Sequence, residues 1–155
     1  MMYKEPQILI ANGVNLDLLG KRKKEHYGNK SLKEIEGFLA LEKKKLANIS
    51  GFPDCHLFWH QTNDEKTYIE LLNSKFDAAI LNPGAWTHTS LALADRLEAL
   101  EIIFVETHLS QINTRETIRR KSLITPYAKG TVCGFQENSY SMALFSLLKI
   151  LSLSR

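Results

Sequence analysis

The chain has 155 residues, of which 44% are hydrophobic and 24% are charged, and its formal net charge is +3 at pH 7. This composition is typical of a globular protein with one hydrophobic core, and the length is short for two domains, so we expect a single domain over 1–155. The lysine runs at 21–24 and 43–45 are not interleaved with aromatic residues, which argues against a nucleic-acid-binding groove and favours a solvated surface.

The cysteines and the apolar runs of the sequence indicate where in the cell the protein is expected. Cys55 and Cys133 lie far apart in apolar segments and form no Cys-x-x-Cys motif, which predicts free thiols in a reducing cytoplasm rather than a disulfide scaffold. The N-terminus lacks the charged start and long apolar stretch of a signal peptide, and no apolar run reaches the roughly 18 residues of a membrane helix. We therefore expect a cytoplasmic protein that does not contact a membrane.

Five apolar runs predict buried strands, and they alternate with segments whose apolar residues recur at helical spacing. The predicted strands lie at 7–11, 55–60, 76–81, 102–108 and 131–134. The predicted helices begin near residues 31, 62, 91, 113 and 142. This alternation favours a parallel sheet covered on both faces. We choose the flavodoxin-like strand order 2-1-3-4-5, which makes the fold class a three-layer α/β sandwich with a five-stranded parallel sheet.

Three of the helix starts carry the pattern of a capping box, with a Ser, Thr or Asn three residues before a glutamate. They are Ser31-x-x-Glu34, Thr62-x-x-Glu65 and Asn113-x-x-Glu116. The helix after Asn113 would be short, because Pro126 ends it at the latest. The polar connection at 12–30 is long for a link between a strand and a helix, and connections of that length are usually functional or disordered.

The predicted strand order brings the loops after strands 1, 3 and 4 to one carboxyl edge of the sheet, where ligands of open α/β sheets bind. The candidate residues that these loops carry are Asn12, Asn15, Arg22, Tyr27, Asn82, His88, His108 and Ser110. A cleft with a tyrosine, two histidines and an arginine suits proton transfer on a polar substrate. Taken singly, each residue has a plainer alternative: Asn82-Pro83-Gly84 forms a turn, and Tyr27 packs in the core.

Two short spacings sharpen this hypothesis. Glu106 and His108 are two apart on a strand and share a face, so the carboxylate can orient the ring as a general acid and favour its protonated form. A strand end that meets solvent is the alternative. Arg22 lies five residues before Tyr27 and is the cation that could hold this phenol as an anion, since a phenol in water ionises only near pH ~10.

Two longer spacings point to substrate contacts. Arg115 and Arg119 are four apart at the start of a predicted helix, so they would share a face on which a bound carboxylate relieves their repulsion. Alternatively, Glu116 and solvent satisfy both arginines at the surface. His88 and Asp95 are seven apart, so both could line one side of a cleft, or simply form an exposed polar helix face.

With these residues in place, the chain resembles the type II 3-dehydroquinate dehydratases over nearly its whole length. The resemblance rests on NGVNLDLLGKR at 12–22 followed by Tyr27-Gly28, QTNDE at 61–65, NPGAWTHTS at 82–90, ETHLS at 106–110 and RETIR at 115–119. Each motif alone would be weak, but their order and spacing together are highly specific.

The resemblance implies trans-elimination of water from 3-dehydroquinate through an enolate to give 3-dehydroshikimate, in aromatic biosynthesis or quinate breakdown. It also implies a flavodoxin-like fold, no cofactor and no metal. The expected partners are the small-molecule substrate and further copies of the chain, in a dodecamer built from trimers, with no nucleic acid and no membrane.

The resemblance assigns roles to the matching residues. Tyr27 would remove the proton beside the ketone, Arg22 would hold Tyr27 as an anion, and Asn15 would stabilise the enolate through a water. His108 would protonate the departing hydroxyl with the support of Glu106. The substrate-binding residues would be Asn82, His88, Asp95, Leu109, Ser110 and Arg119, and the sequence leaves open whether Asp95 serves its own subunit's site or a neighbour's.

The chain departs from the family pattern at several positions. The family usually has Pro at Val14, Glu-Pro at Lys23-Lys24, Gly at Lys66 and Val at Thr107. Its glycine-rich Gly-x-Gly-x-x-Gly-Tyr motif stands here as Gly134-Phe135-Gln136-Glu137-Asn138-Ser139-Tyr140. None of these changes removes a catalytic group, so they bear on rate and affinity more than on reaction type.

Two other kinds of function fit parts of the sequence. A non-enzymatic module could keep the pocket to bind a small carboxylate, although binding alone does not need a tyrosine paired with an arginine and a separate histidine acid. A metal hydrolase could use His56, His60, His88 and His108, but no carboxylate-rich ligand set accompanies them. A mononucleotide site is weaker still, because 12–15 lacks the glycine-rich phosphate loop.

Overall fold

The computed structural model describes residues 4–154. Five strands form one parallel sheet in the order β2-β1-β3-β4-β5, which confirms the predicted topology. The strands are β1 Gln7–Asn12, β2 His56–Gln61, β3 Ala78–Asn82, β4 Phe104–His108 and β5 Gly130–Cys133. The helices are α1 Lys24–Tyr27, α2 Leu32–Ile49, α3 Glu65–Leu71, α4 Trp86–Thr89, α5 Leu91–Leu100 and α6 Asn138–Leu153.

The helices cover both faces of the sheet, and alternate residues of β1 show the two cores that result. Ile8 and Ile10 belong to the apolar cluster that includes residues of α2 and α6. Leu9 and Ala11 belong to the cluster on the other face, which includes residues of α3 and α5. This two-sided burial is the reason that the strands read as continuous apolar runs. No helix within residues 4–154 combines the length and apolarity needed to cross a bilayer.

The capping box predicted at Ser31 is confirmed, and a second serine, Ser90, caps α5. At the start of α2, the Ser31 hydroxyl accepts from the Glu34 amide at 3.3 Å, and the Glu34 carboxylate accepts from the Ser31 amide at 2.8 Å. At the start of α5, the Ser90 hydroxyl accepts from the Leu93 amide at 2.9 Å. Both helices therefore begin where a side chain satisfies a backbone N–H that has no partner inside the helix.

The cap of α3 differs from the prediction. Asp64, rather than Thr62, caps this helix, because its carboxylate accepts from the Thr67 amide at 2.8 Å. Thr62 instead accepts from the Asp64 amide at 3.0 Å and so forms the turn that leads into the helix.

The prediction of a helix after Asn113 was wrong. The segment forms three 3₁₀ turns at Ile112–Thr114, Thr117–Arg119 and Thr125–Tyr127. It has no apolar stripe to bury, since Ile112 and Ile124 are buried at its two ends while Ile118 between them is exposed. Without such a stripe, tertiary packing does not support a longer helix.

Strand register places polar side chains side by side at the carboxyl edge. Asn12 at the end of β1 pairs with Gln61 of β2 and with Asn82 of β3. Leu81 of β3 pairs with Glu106 of β4, two residues before His108. The loops that follow β1, β3 and β4 therefore start from adjacent points.

Candidate active site

A cavity with about 530 Å³ of empty space, including the open solvent at its mouth, lies at this carboxyl edge. Nine of the ten predicted site residues line it: Asn15, Arg22, Tyr27, Asn82, His88, His108, Leu109, Ser110 and Arg119. The loops after β1, β3 and β4 thus converge as the strand order predicts. Asp95 is not among the lining residues.

The phenol oxygen of Tyr27 has two arginine partners. Tyr27 ends the short helix α1, and Arg22 just before that helix donates to the oxygen at 2.8 Å, with its guanidinium carbon 3.8 Å from the ring centroid. Arg115, which is 88 residues further along the chain, also donates to this oxygen at 3.1 Å. Two guanidinium groups from separate segments therefore donate to the same phenol oxygen.

The sequence predicts anion binding for Arg115 but does not predict its contact with Tyr27. Its guanidinium also reaches the Ser110 hydroxyl at 3.5 Å, so it joins the Tyr27 loop to the loop after β4. Burial alone lowers the pKa of Arg115, but the hydrogen bond and charge of Tyr27, together with Glu116, raise it above its ordinary value. The contact with Tyr27 therefore helps to keep Arg115 protonated.

His108 and Glu106 form a buried pair at the end of β4. The Nε2 of His108 lies 2.7 Å from the Glu106 carboxylate, whose other oxygen accepts from the Thr125 hydroxyl. Burial raises the pKa of Glu106, but the hydrogen bonds and charge of His108, with the Thr125 hydroxyl, outweigh it and hold the pKa below its ordinary value. Since Nε2 is engaged by the carboxylate, Nδ1 is the nitrogen left to meet a substrate.

His88 lies beside His108, with ring centroids 6.4 Å apart and planes inclined by 19°. Its Nδ1 is 2.8 Å from the carbonyl oxygen of Lys121, which can only accept, so Nδ1 carries the hydrogen. Burial lowers the pKa of His88 most strongly; the hydrogen bond to the Lys121 carbonyl opposes this, and the neighbouring His108 and Arg119 lower the pKa further. A neutral His88 consequently presents Nε2 as a hydrogen-bond acceptor.

The amide of Asn82 is held from below by a buried tyrosine. Asn82 Nδ2 donates to the Tyr140 hydroxyl at 2.9 Å, and that hydroxyl donates to Asn12 Oδ1 at 2.5 Å. Burial raises the pKa of Tyr140 far above that of a free phenol, so its hydroxyl stays protonated. Asn12 is therefore a support of the site rather than part of its wall. In the sequence, Tyr140 is noticeable only as the last residue of the motif at 134–140, which does not indicate its contact with Asn82.

Close backbone approach joins the loops after β1 and β3. A Cβ on Gly13 would lie 2.2 Å from the Pro83 carbonyl oxygen, so no larger residue fits there. Next to it, Asn15 has a left-handed backbone with φ of 64°, and its amide donates to the Asn63 side chain at 2.9 Å. Such a conformation is uncommon outside glycine and is found at functional sites.

Two predicted pairs do not have the geometry expected of them. A break at Ser90 separates α4 from α5, so His88 and Asp95 do not share one helix face, and Asp95 is exposed on α5. Arg115 and Arg119 are not on one helix either, yet both line the cavity. Glu116 accepts from both arginines, at 3.3 Å and 2.6 Å, so that part of the alternative holds, but Arg115 is largely buried rather than at the surface.

The histidines of the metal-hydrolase hypothesis do not form one cluster, since His88 and His108 line the cavity whereas His56 does not. His56 starts β2 at the amino edge of the sheet and pairs with Glu5 at 2.7 Å, away from the cavity. Across residues 4–154, no group of three or more His, Cys, Asp or Glu side chains is arranged to hold a metal ion.

Comparison with known proteins gives one consistent result. The sequence model of the family "Dehydroquinase class II" matches residues 6–148. The chain is 39% identical over 146 residues to a 3-dehydroquinate dehydratase of Histophilus somni strain 2336, covering 92% of this chain and 93% of that protein. It is 41% identical over 144 residues to that of Shewanella halifaxensis, covering 92% and 91%. The structure of type II dehydroquinase from Butyrivibrio crossotus superposes with a TM-score of 0.83 at 32% identity, covering 92% and 97%.

Proposed function

Because this chain belongs to the class II dehydroquinase family, we propose specific roles for the residues of its cavity in that family's reaction. The chain is a hydro-lyase of the type II family and dehydrates 3-dehydroquinate to 3-dehydroshikimate in the shikimate pathway. The reaction breaks one C–H bond beside a ketone and one C–O bond, so it needs a base on one side of the substrate and an acid on the other.

Tyr27 is the base. As a phenolate it takes the proton from the carbon beside the ketone, and the electron pair of that C–H bond moves to the ketone oxygen to form an enolate. The observation that carries this assignment is the pair of guanidinium groups, from Arg22 and Arg115, on the Tyr27 oxygen. Both arginines stay in place during the step, so they favour the anion before the reaction and remain beside the proton afterwards.

Asn15 stabilises the enolate oxygen, directly or through a water. Its backbone is fixed in an uncommon conformation by the bond to Asn63, which keeps its side chain at the cavity wall. A polar group that is positioned before the reaction stabilises developing charge without the cost of reorganisation.

His108 is the acid that completes the elimination. When the enolate collapses, the C–O bond breaks, and the departing hydroxyl leaves as water with a proton from Nδ1 of His108. Glu106 holds the ring by Nε2 and compensates the positive charge of the protonated form. The proton on Tyr27 returns to solvent and His108 regains one, so no co-reactant is consumed.

The remaining cavity residues bind the substrate. The backbone amides of Leu109 and Ser110 hold the carboxylate, and Arg119 adds positive charge beside it. Asn82 and the Nε2 of His88 bind hydroxyl groups. The rigid supports of these side chains, Tyr140 for Asn82 and the Lys121 carbonyl for His88, suit recognition of a substrate with several hydroxyls.

We further propose that Asp95 completes the site of a neighbouring copy, in a homododecamer of the kind that the family resemblance implies. Its exposed position on α5, outside the cavity of its own chain, supports a role in trans. A cytoplasmic location is supported by the two free thiols, Cys55 and Cys133.

The test is an assay with 3-dehydroquinate that follows the ultraviolet absorbance of the conjugated enone product, with a Tyr27→Phe variant beside the wild type. We expect the variant to lose at least about 100-fold in kcat, because a positioned base contributes on the order of 10²–10⁴-fold. A variant that retains wild-type turnover would exclude Tyr27 as the base. A folded wild type that binds substrate without turning it over would instead favour the binding-module hypothesis.

A further inference from the structure

Gln136 has a backbone conformation that its side chain disfavours. Its φ is 51°, in the left-handed region, where a Cβ costs free energy that glycine does not incur. The motif at 134–140 has glycine at this position in the family pattern described above. Gln136 is strained at a position where glycine would not be, which suggests that the Gln136 side chain has a function.

The side chain of Gln136 packs against the residue that follows Tyr27. A Cβ built on Gly28 would lie 3.1 Å from Gln136 Oε1, so the amide sits directly over this glycine. The backbone amide of Gln136 donates to the Leu109 carbonyl at 3.1 Å. Gln136 therefore connects the end of the Tyr27 loop to the loop after β4.

Glu137 adds an ion pair to the same loop. Its carboxylate lies 2.8 Å from the ammonium of Lys30, three residues after Tyr27, and the Lys30 ammonium also lies 4.8 Å from the Phe38 ring centroid. The hydrogen bond from Lys30 lowers the pKa of Glu137 most strongly, followed by its own backbone amide.

Few polar contacts anchor the loop that carries Tyr27. Within residues 4–154, and apart from the local turn that Lys21 closes on Leu18, the hydrogen bonds and ion pairs that join 20–30 to the rest of the protein are Arg115 to Tyr27 and Lys30 to Glu137. The first belongs to the catalytic group itself. The second, with the packing of Gln136 on Gly28, is the support behind it.

We propose that Gln136 and Glu137 are positioning residues that form a latch on the Tyr27 loop and keep the phenol oxygen between its two arginines. The latch holds Gly28 by packing and Lys30 by charge, and it is fixed to the site through the Leu109 carbonyl. Its effect on turnover rests on the proposed role of Tyr27, whereas its effect on the loop does not.

The first test uses Gln136→Gly, because this change removes the side chain and relieves the backbone strain at once. We expect kcat/KM to fall about 3- to 10-fold while the thermal midpoint stays equal or rises. A variant with wild-type kcat/KM, or one whose midpoint falls together with its activity, would overturn the positioning role.

The second test reports on the loop without activity. Lys21, Arg22, Lys23 and Lys24 are trypsin sites in the loop, so the initial rate of cleavage there measures how often it opens. We expect Glu137→Gln to raise this rate about 2- to 5-fold, as loss of a partly exposed ion pair allows. The exchanged pair Lys30→Glu with Glu137→Lys should restore it in part.

Glu70→Gln is the matched control, since it removes one partner of the exposed Lys66–Glu70 pair, which is 3.8 Å apart on α3 and distant in sequence from the loop. If Glu137→Gln and Glu70→Gln have the same cleavage rate at 21–24, the latch does not exist. The Tyr27→Phe variant separates the two proposals: wild-type turnover there defeats the base assignment, while the cleavage rates still decide the latch.

Discussion

At the scale of single residues, the site depends on which charges surround each reacting oxygen or nitrogen. A phenol in water keeps its proton until about pH 10, so the surroundings of Tyr27 decide whether it can work as a base at neutral pH. Arg22 could be predicted as its partner, because five residues separate the two in one loop. Arg115 could not, since 88 residues separate it from Tyr27 and only the folded chain brings them together.

The second arginine leads to a prediction. Arg115→Lys keeps a positive charge but loses the planar fork that reaches both Tyr27 and Ser110. We expect kcat to fall about 10- to 100-fold, the effect of losing a hydrogen bond to a charged group. Arg120→Lys is the control, because the Arg120 guanidinium lies in the same segment and bonds the Arg115 carbonyl rather than Tyr27. Equal activity in the two variants would remove Arg115 from the reaction.

The Glu106–His108 pair makes stability depend on pH. The pKa of Glu106 is lower in the folded protein than its ordinary value of 4.5, so the ionised carboxylate stabilises the fold above about pH 4.5, and this stabilisation is lost as the pH falls through the folded value. Glu106→Gln should therefore lower the thermal midpoint most at pH 7 and progressively less below pH 4.5. Thermal melts of both proteins between pH 3 and 8 test this, and a deficit that stays constant with pH would contradict it.

At the scale of elements, helices with both an apolar stripe and a cap were predictable from sequence. α2 and α5 begin at the predicted residues because Ser31 and Ser90 each have an apolar helix face behind them. The segment after Asn113 has the capping pattern without the stripe, and it folds into 3₁₀ turns. A cap stabilises a helix that packing already supports, but it does not create one.

The helix α6 contributes one contact to the site that could not be predicted from the sequence. Its Tyr140 hydroxyl bridges Asn12 and Asn82, which stand opposite each other in the register of β1 and β3. The sequence contains all three residues, but the bridge depends on how α6 crosses the sheet 58 residues after Asn82.

Removal of this hydroxyl should affect both stability and binding. We expect Tyr140→Phe to lose about 1–3 kcal/mol of unfolding free energy, because it leaves buried amide groups without a partner, and to raise KM several-fold through Asn82. Tyr68→Phe is a suitable control, since Tyr68 is equally buried but bonds the Ala11 carbonyl rather than Asn12 or Asn82. Denaturant unfolding and steady-state kinetics distinguish the two; a rise in KM for both would assign the effect to general loosening.

At the scale of the whole molecule, the position of Asp95 bears on whether one chain forms the complete active site or a neighbouring copy contributes to it. Asp95 is exposed on α5, and Leu91, one turn earlier, is 67% exposed although it is apolar. The proposed dodecamer would bury this helix surface against a neighbour.

A mixing experiment tests the shared site. Asp95→Ala and Tyr27→Phe chains, each impaired alone, are coexpressed with different tags so that mixed oligomers can be purified. If Asp95 acts in trans, sites that combine Tyr27 from one chain with Asp95 from another recover up to about one quarter of wild-type activity at equal, random mixing. No recovery in confirmed mixed oligomers would place Asp95 outside the shared site, and a monomeric wild type would exclude the assembly itself.

The arginines of the cavity also have a consequence for work at the bench. A recess that holds Arg22, Arg115 and Arg119 draws small counter-ions from the surrounding solution. Sulfate, phosphate or citrate in a buffer would occupy it, compete with the substrate's carboxylate and stabilise the folded chain by mass action. The melting temperature and apparent KM are then properties of the buffer as well as of the chain, so laboratories that disagree about either value need first to compare their salts.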